Sequence, residues 1–316
     1  MTSTFHISSA YGGDGWQPRT QSLAEEMGAI WGQFGVNNEW APLQAVLLHR
    51  PGPELAASAD PESVQYVASV DAALAGAQHD AMAQAYRDAG VAVHYLDAPA
   101  IHKPNQMFMA DLMFMTPEGV ILARPASTVR AGEERIAAAK LAALGVPIVR
   151  SVGGRGVFEG ADAMWLDPQT VLIGRGLRTN DAGALQVSSV LREMGVDSVI
   201  VDLPFGSMHL MGVIRLADHD LAIGFPGRLA HRAVDLLRSR NVRVAFLPDE
   251  HEAHHCSALN FVTLGPREIL MVGNAPVTQR FYEGLGIRCH TVEMQELRKA
   301  AGAIGCLSGV LQRERC

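Results

Sequence analysis

Cysteine is scarce in this chain: Cys256, Cys289, Cys306 and Cys316 are the only four among 316 residues. That is too few for a disulfide scaffold in a chain this long, and it points to a reducing cytoplasm. Long apolar runs are missing as well, so no membrane-spanning helix is expected. The N-terminal stretch MTSTFHISSAYGGDGW lacks the basic and apolar regions of a secretory signal. Positive charge is in deficit, with 26 Lys and Arg against 33 Asp and Glu and a net charge of −7. With no basic stripe to offset it, that balance argues against nucleic-acid binding. It suits a protein that attracts cations. What remains, 48% hydrophobic and 19% charged residues, is the composition of a globular chain able to bury a core.

The strongest internal signal is a repeat. An amphipathic helical stretch, a turn residue and a β-rich run follow one another five times, in HDAMAQAYRDAG-VAVHYL, EERIAAAKLAALG-VPIVRS, GALQVSSVLREMG-VDSVIVDL, HRAVDLLRSRN-VRVAFL and TQRFYEGLG-IRCHTVEM. Gly90, Gly145, Gly195, Asn241 and Gly286 hold the turns, roughly 45 to 55 residues apart. Glycine and asparagine tolerate the left-handed backbone that closes a helix. A short apolar run (AVLLHRPG, GVILARP, TVLIGRG, LAIGFPG, ILMVGN) precedes each helix. The unit is strand, loop, helix, strand, which fits a propeller-like repeat or an ordinary doubly wound α/β sheet. Residues 1–36 stand outside the pattern as an N-terminal arm, helical at SLAEEMGAIWGQF, and 37–316 form one catalytic domain.

Several segments could carry chemistry. Cys306 lies in AAGAIGCLSG, flanked by Gly302, Gly305 and Gly309; these glycines let the backbone approach a ligand and uncover the thiol. A lone cysteine is more often a small core residue. His209 in PFGSMHLMGV opens an apolar run, and FEGADAMW places Glu159 and Asp162 before a strand. NQMFMADLMFM puts Asp111 in the middle of an apolar strand, where a carboxylate is costly without a cation. Either a protein arginine or a cationic ligand would satisfy it. HEAHH at 251–255 matches a zinc-protease signature but reads as a loop, and GGRG at 153–156 lacks the Lys-Ser/Thr of a phosphate loop. No metal or cofactor is expected.

Together these residues resemble the guanidino-group modifying superfamily: the arginine deiminases, dimethylarginine dimethylaminohydrolases and amidinotransferases. The resemblance runs from NEWAPLQAVLLHRPG to GAIGCLSG. It implies the pentein fold, an α/β-propeller of five ββαβ repeats around a central site, which would account for the repeat. It further implies Cys306 as nucleophile, His209 as general acid/base, and Glu159 as the acid orienting both the histidine and the guanidinium. Asp162 closes that acid's segment, and Asp111 is the guanidinium clamp of F-x-x-D. STVRAGEE and GLRTNDAGA nominate Arg130 and Arg178 as holders of a substrate carboxylate.

Two departures blur the subfamily. Met211 stands where deiminases and amidinotransferases carry a second acid, as in a site nearer the dimethylarginine hydrolases. Asn105 and Ala110 stand where those hydrolases carry acids. The expected partner is a small guanidino compound, arginine or an N-substituted arginine, and a homo-oligomer is compatible with all of this. The expected reaction is hydrolysis through a covalent S-alkylthiouronium. The rivals are amidino transfer to an amine, a zinc hydrolase using HEAHH, and a non-catalytic ring-shaped binding protein.

Overall fold

The computed structural model describes residues 6–56, 58–96 and 103–316. Five three-stranded sheets each carry one helix, and the strand order in each is the same: a middle strand antiparallel to an inner strand and parallel to an outer one. The second blade shows the unit, with Met113–Thr116, Gly119–Leu122, the helix Glu133–Ala143 and then Ile148–Ser151. The third comprises Ala163–Asp167, Thr170–Arg175, Asp181–Glu193 and Asp197–Asp202. The fourth follows with Ile214–Asp218, Leu221–Gly224, His231–Ser239 and Arg243–Phe246. The fifth has Val262–Gly265, Glu268–Val272, Pro276–Gly284 and Arg288–Val292.

The first blade closes the ring. Its middle and outer strands, Leu43–Leu48 and Ala92–Tyr95, pair with an inner strand drawn from the far end of the chain, Gly309–Arg313. This antiparallel pairing of the first and last strands explains how a repeat of helix–turn–strand units becomes a closed five-bladed pentein, not an open sheet.

Local sequence sets each unit. The middle strands are apolar and almost wholly buried, as Thr170–Arg175 shows, because they have a helix on one side and neighbouring blades on the other. The outer strands are half-exposed. Asp71 caps the first blade's helix, Ala72–Asp88, accepting from the N–H groups of Ala73 and Leu74. The five turn residues Gly90, Gly145, Gly195, Asn241 and Gly286 all have φ between 60° and 80°, the left-handed conformation expected of them. Trp165, fully buried, bridges the second and third blades by donating from Nε1 to the Met115 carbonyl at 3.1 Å.

Residues 1–36 are less helical than expected. Within SLAEEMGAIWGQF only Leu23–Glu26 is α-helix, capped by Ser22. Gly28 then takes a positive φ and the chain turns back, so that the Gly32 and Gly35 N–H groups donate to Gly145 and Leu311 carbonyls. The first five residues of the arm lie outside the described residues. No helix among the described residues is long and apolar enough to cross a membrane.

Candidate active site

Each blade delivers one polar side chain from the segment just before its inner strand. The first supplies Cys306, in the short helix Ile304–Leu307. The second supplies Asp111, in Met109–Leu112. The third supplies Glu159, ahead of the turn Gly160–Asp162, and the fourth His209, ahead of the turn Leu210–Gly212. The fifth supplies Asn260, two residues before Val262. Asp111 therefore sits in a helical turn and not within a strand as expected: the strand begins only at Met113. The turn gathers its polar groups towards the ring centre, whereas a strand would point alternate side chains away from it.

His209 Nε2 lies 2.6 Å from Glu159 Oε2 and 3.8 Å from Asp111 Oδ1, with all three residues buried. Burial opposes a charge on the imidazole, but Asp111, the hydrogen bond to Glu159 and Asp162 outweigh it and push the group up to about 9. Glu159 moves the opposite way. Burial alone would raise it, but the hydrogen bond to His209 and the cations around it hold it well below the usual carboxylate range. Both shifts favour the charged forms, an imidazolium on a carboxylate. Asp162 fixes the arrangement: Oδ2 accepts from Thr179 Oγ1 at 2.6 Å and Oδ1 from the Leu210 N–H at 2.9 Å. Both its oxygens accept hydrogen bonds inside the protein, so Asp162 fixes the backbone next to His209.

The two arginines differ in how tightly the protein holds them. Arg130 is 2% exposed and donates to Asp111 Oδ2 at 2.6 Å and to Glu133 Oε2 at 2.9 Å. Three surrounding carboxylates, Asp111, Glu133 and Glu159, overcome burial and raise it further. The Arg130 fork is committed in this way, although the residue lines the same cleft as Asp111 and Cys306. Arg178 reaches Glu159 through longer bonds of 3.3 and 3.4 Å and lines the cleft beside Asn105, Asp111 and Cys306. It is the more available of the two. Asn105 donates from Nδ2 to the Val64 carbonyl at 3.0 Å. Asp111 keeps one oxygen, Oδ1, without a partner. A protein arginine therefore satisfies one oxygen of Asp111, and the other makes no hydrogen bond and faces His209 Nε2 at 3.8 Å.

Around the thiol the structure places two neighbours. Asn260, absent from the sequence-based set, accepts the Gly305 and Cys306 N–H groups on Oδ1 at 2.7 and 3.2 Å and donates from Nδ2 to Cys306 Sγ at 3.0 Å. Its place two residues before an inner strand, shared in kind with Asp111, is the signal that could have found it. Met211 Sδ lies 3.9 Å from Cys306 Sγ. Burial first, then Asp111, pushes the thiol up, while Asn260 and Arg215 pull it down. A resting thiol facing Asp111 would therefore be released towards thiolate when a cation neutralises that aspartate.

Asp111, Glu159 and His209 converge closely enough to hold an ion, but here they are occupied by one another and by arginine. HEAHH, expected as a loop, is a helix, Glu250–His255, capped by Asp249. Its Glu252 is spent on the N–H groups of Val277 and Thr278. His251 and His255 are exposed, and no group convergent enough for a metal includes them among the described residues.

Comparison with known proteins points to one group of enzymes. The family "N,N dimethylarginine dimethylhydrolase, eukaryotic" matches residues 61–203, a span that holds Asp111, Glu159 and both arginines. An N(G),N(G)-dimethylarginine dimethylaminohydrolase of Streptomyces coelicolor is 29% identical over 84% of this chain and 96% of that protein. Among solved structures, DDAH from Pseudomonas aeruginosa complexed with citrulline superposes with a TM-score of 0.72 at 22% identity, covering 86% of this chain and 99% of that one. An amidinotransferase of Microseira wollei from the saxitoxin biosynthetic pathway gives 0.73 at 12% identity, covering 90% and 98%. The fold is that of a pentein. The chain is similar in sequence to dimethylarginine dimethylaminohydrolases and shares its fold with both a hydrolase and an amidinotransferase.

Proposed function

We propose that this protein is a hydrolase of arginine-like guanidines, N-substituted ones included, working through a covalent bond to Cys306. The observation that carries the reading is the convergence of a buried thiol, an imidazolium and a half-free carboxylate from three different blades. A guanidinium seated on Asp111 Oδ1 has its charge met there, and its binding favours the thiolate. Cys306 Sγ then forms a C–S bond to the guanidinium carbon. The tetrahedral adduct collapses as the C–N bond breaks, and His209, already charged, gives its proton to the departing amine. The neutral imidazole left behind takes a proton from water, whose oxygen attacks the S-alkylthiouronium carbon and releases the thiolate. The products are a ureido compound and ammonia or an alkylamine.

Amidino transfer is the second reading, favoured by the fold shared with the amidinotransferase. It differs only in the nucleophile of the second half-reaction. The test is turnover of arginine, methylated arginines and simple alkylguanidines by the wild type and Cys306→Ala, with ureido product and released amine both assayed and intact mass recorded. The reading expects turnover without an added amine, an adduct on Cys306, and none of either in the variant. Normal turnover in Cys306→Ala would end it, and a strict need for an amine acceptor would move the assignment to transfer.

A further inference from the structure

Behind the nucleophile lies a second cavity on the ring axis, lined by Glu39, Met211, Arg215, Gly305 and Arg313 among others. Nothing in the proposed chemistry uses its charges. Arg215 extends from the inner strand of the fourth blade. Its Nη2 reaches Met211 Sδ at 3.7 Å, and that same sulfur touches Cys306 Sγ. The guanidinium is packed so closely under Gly305 that a Cβ there would collide with Nη2 and then with Asn260 Oδ1. Its Nε is buried without a partner. Among the described residues no carboxylate forms an ion pair with it, and the weak thioether acceptor is its one hydrogen-bond partner. Arg313, 3% exposed, also has an unpartnered Nε and donates from Nη1 only to the Ala41 carbonyl.

The cavity therefore holds two guanidinium groups against one carboxylate, Glu39, which is itself raised by burial despite both arginines. An uncompensated buried cation is costly. The ionisable group placed to supply the missing negative charge is the thiol on the other side of Met211 and Gly305.

We propose that Arg215 is a positioning residue for the nucleophile, a resident counter-charge that holds the Cys306 thiolate from behind while substrate binds in front. The idea rests on Cys306 being the nucleophile, but not on what the enzyme hydrolyses. Cys306 faces Asp111 and His209 from the cleft, Asn260 from the fifth blade, and Arg215 from the axis. Arg215 faces Glu39, Tyr86 and Tyr282 in addition. Of these, Arg215 is the permanent cation on the side away from the substrate. Asp111 opposes the thiolate until a guanidinium neutralises it, so Arg215 determines how far the resting thiol must still be shifted.

The test reads the thiol without substrate. Iodoacetamide labelling of the Cys306 peptide is followed by mass spectrometry as a function of pH in the wild type, Arg215→Gln, Arg215→Lys and Glu39→Gln, with cooperative melting as the control for folding. An opposite charge a few ångströms away shifts a titration by about one unit or more. Labelling near neutral pH should therefore be about tenfold slower in Arg215→Gln, largely restored in Arg215→Lys, and faster in Glu39→Gln. An unmoved titration in Arg215→Gln, or an equal shift in the lysine and glutamine variants, overturns the role. If the glutamine variant does not fold, Glu39→Gln decides: a downward shift supports the proposal and no shift refutes it. Loss of turnover in Cys306→Ala alongside an unmoved titration would sink Arg215 alone and leave the hydrolase reading standing.

Discussion

Asp111 accepts a 2.6 Å hydrogen bond from Arg130 on one carboxylate oxygen and leaves the other, 3.8 Å from His209 Nε2, without a partner. The protein's own guanidinium thus rests on half of the carboxylate proposed for the substrate's. The arrangement pre-orders Asp111 without filling it: a carboxylate with one oxygen fixed has lost its rotational freedom before the ligand arrives. A hydrogen bond between charged groups contributes about 1.5–3 kcal/mol. Asp111→Asn should therefore weaken binding of guanidines by roughly ten- to a hundredfold. Titration calorimetry in a Cys306→Ala background reads this without turnover, and equal affinity in both proteins removes Asp111 as the clamp.

His209 makes a prediction about pH. Its pKa rises from 6.5 to about 9 in the folded protein, so folding favours the charged form. The stabilisation is fully present below pH 6.5 and is lost as pH rises through about 9. Wild type should exceed His209→Gln in melting temperature most at about pH 6, with the gap closing towards about pH 9.5. Turnover in the glutamine variant should fall by at least roughly a hundredfold, the scale of a general acid/base. A gap that widens with pH would mean that the histidine is neutral in the native state.

Asn260 should behave as a device for holding the nucleophile. Its three hydrogen bonds fix the Gly305–Cys306 peptide and the sulfur at once. Losing them leaves the thiol free to rotate, while the clamp carboxylates stay in place. Asn260→Ala is expected to lower kcat by about ten- to a hundredfold, the cost of a small misplacement of reacting atoms, with KM nearly unchanged. A change confined to KM would place Asn260 in substrate binding instead.

How much of this was legible in the sequence depended on which strand carried the signal. The middle strands and helices announce themselves because each helix ends on a left-handed residue, from Gly90 to Gly286. The inner strands do not. Met113–Thr116 and Val262–Gly265 are four residues long and follow apolar turns, so MADLMFM reads as one continuous strand with Asp111 inside it, and nothing in the run before Val262 marks Asn260. HEAHH reads as a loop for the opposite reason: a six-residue helix, Glu250–His255, is too short to show a period. The contacts of Arg130 and Asp162 lie beyond sequence altogether, since they are made with residues distant in the chain, Asp111 for one and Leu210 for the other.

The last prediction concerns what the site excludes. Met211 Sδ lies 3.9 Å from Cys306 Sγ and 3.7 Å from Arg215 Nη2, at the position where the sequence resemblance to deiminases and amidinotransferases implies a second acid. A thioether accepts hydrogen bonds weakly but packs well against an alkyl group. The wild type should therefore tolerate an N-substituted guanidine and use free arginine less well. Met211→Asp would put a carboxylate within reach of Arg215, so the new charge would not be buried alone and the variant should fold. Met211 also lines the cleft beside His209 and Cys306, so an acid there would face the substrate guanidinium and penalise an alkyl substituent, which leaves one of its oxygens unpaired. The ratio of kcat/KM for arginine to that for methylated arginines should rise by about tenfold or more, the range over which an unpaired buried group discriminates. Efficient turnover of arginine by the wild type, with a ratio indifferent to the substitution, would show that Met211 does not select the substrate. The chemistry at Cys306 would be unaffected by that result, because the sulfur, His209 and Asp111 meet without any contribution from the Met211 side chain to charge or proton transfer.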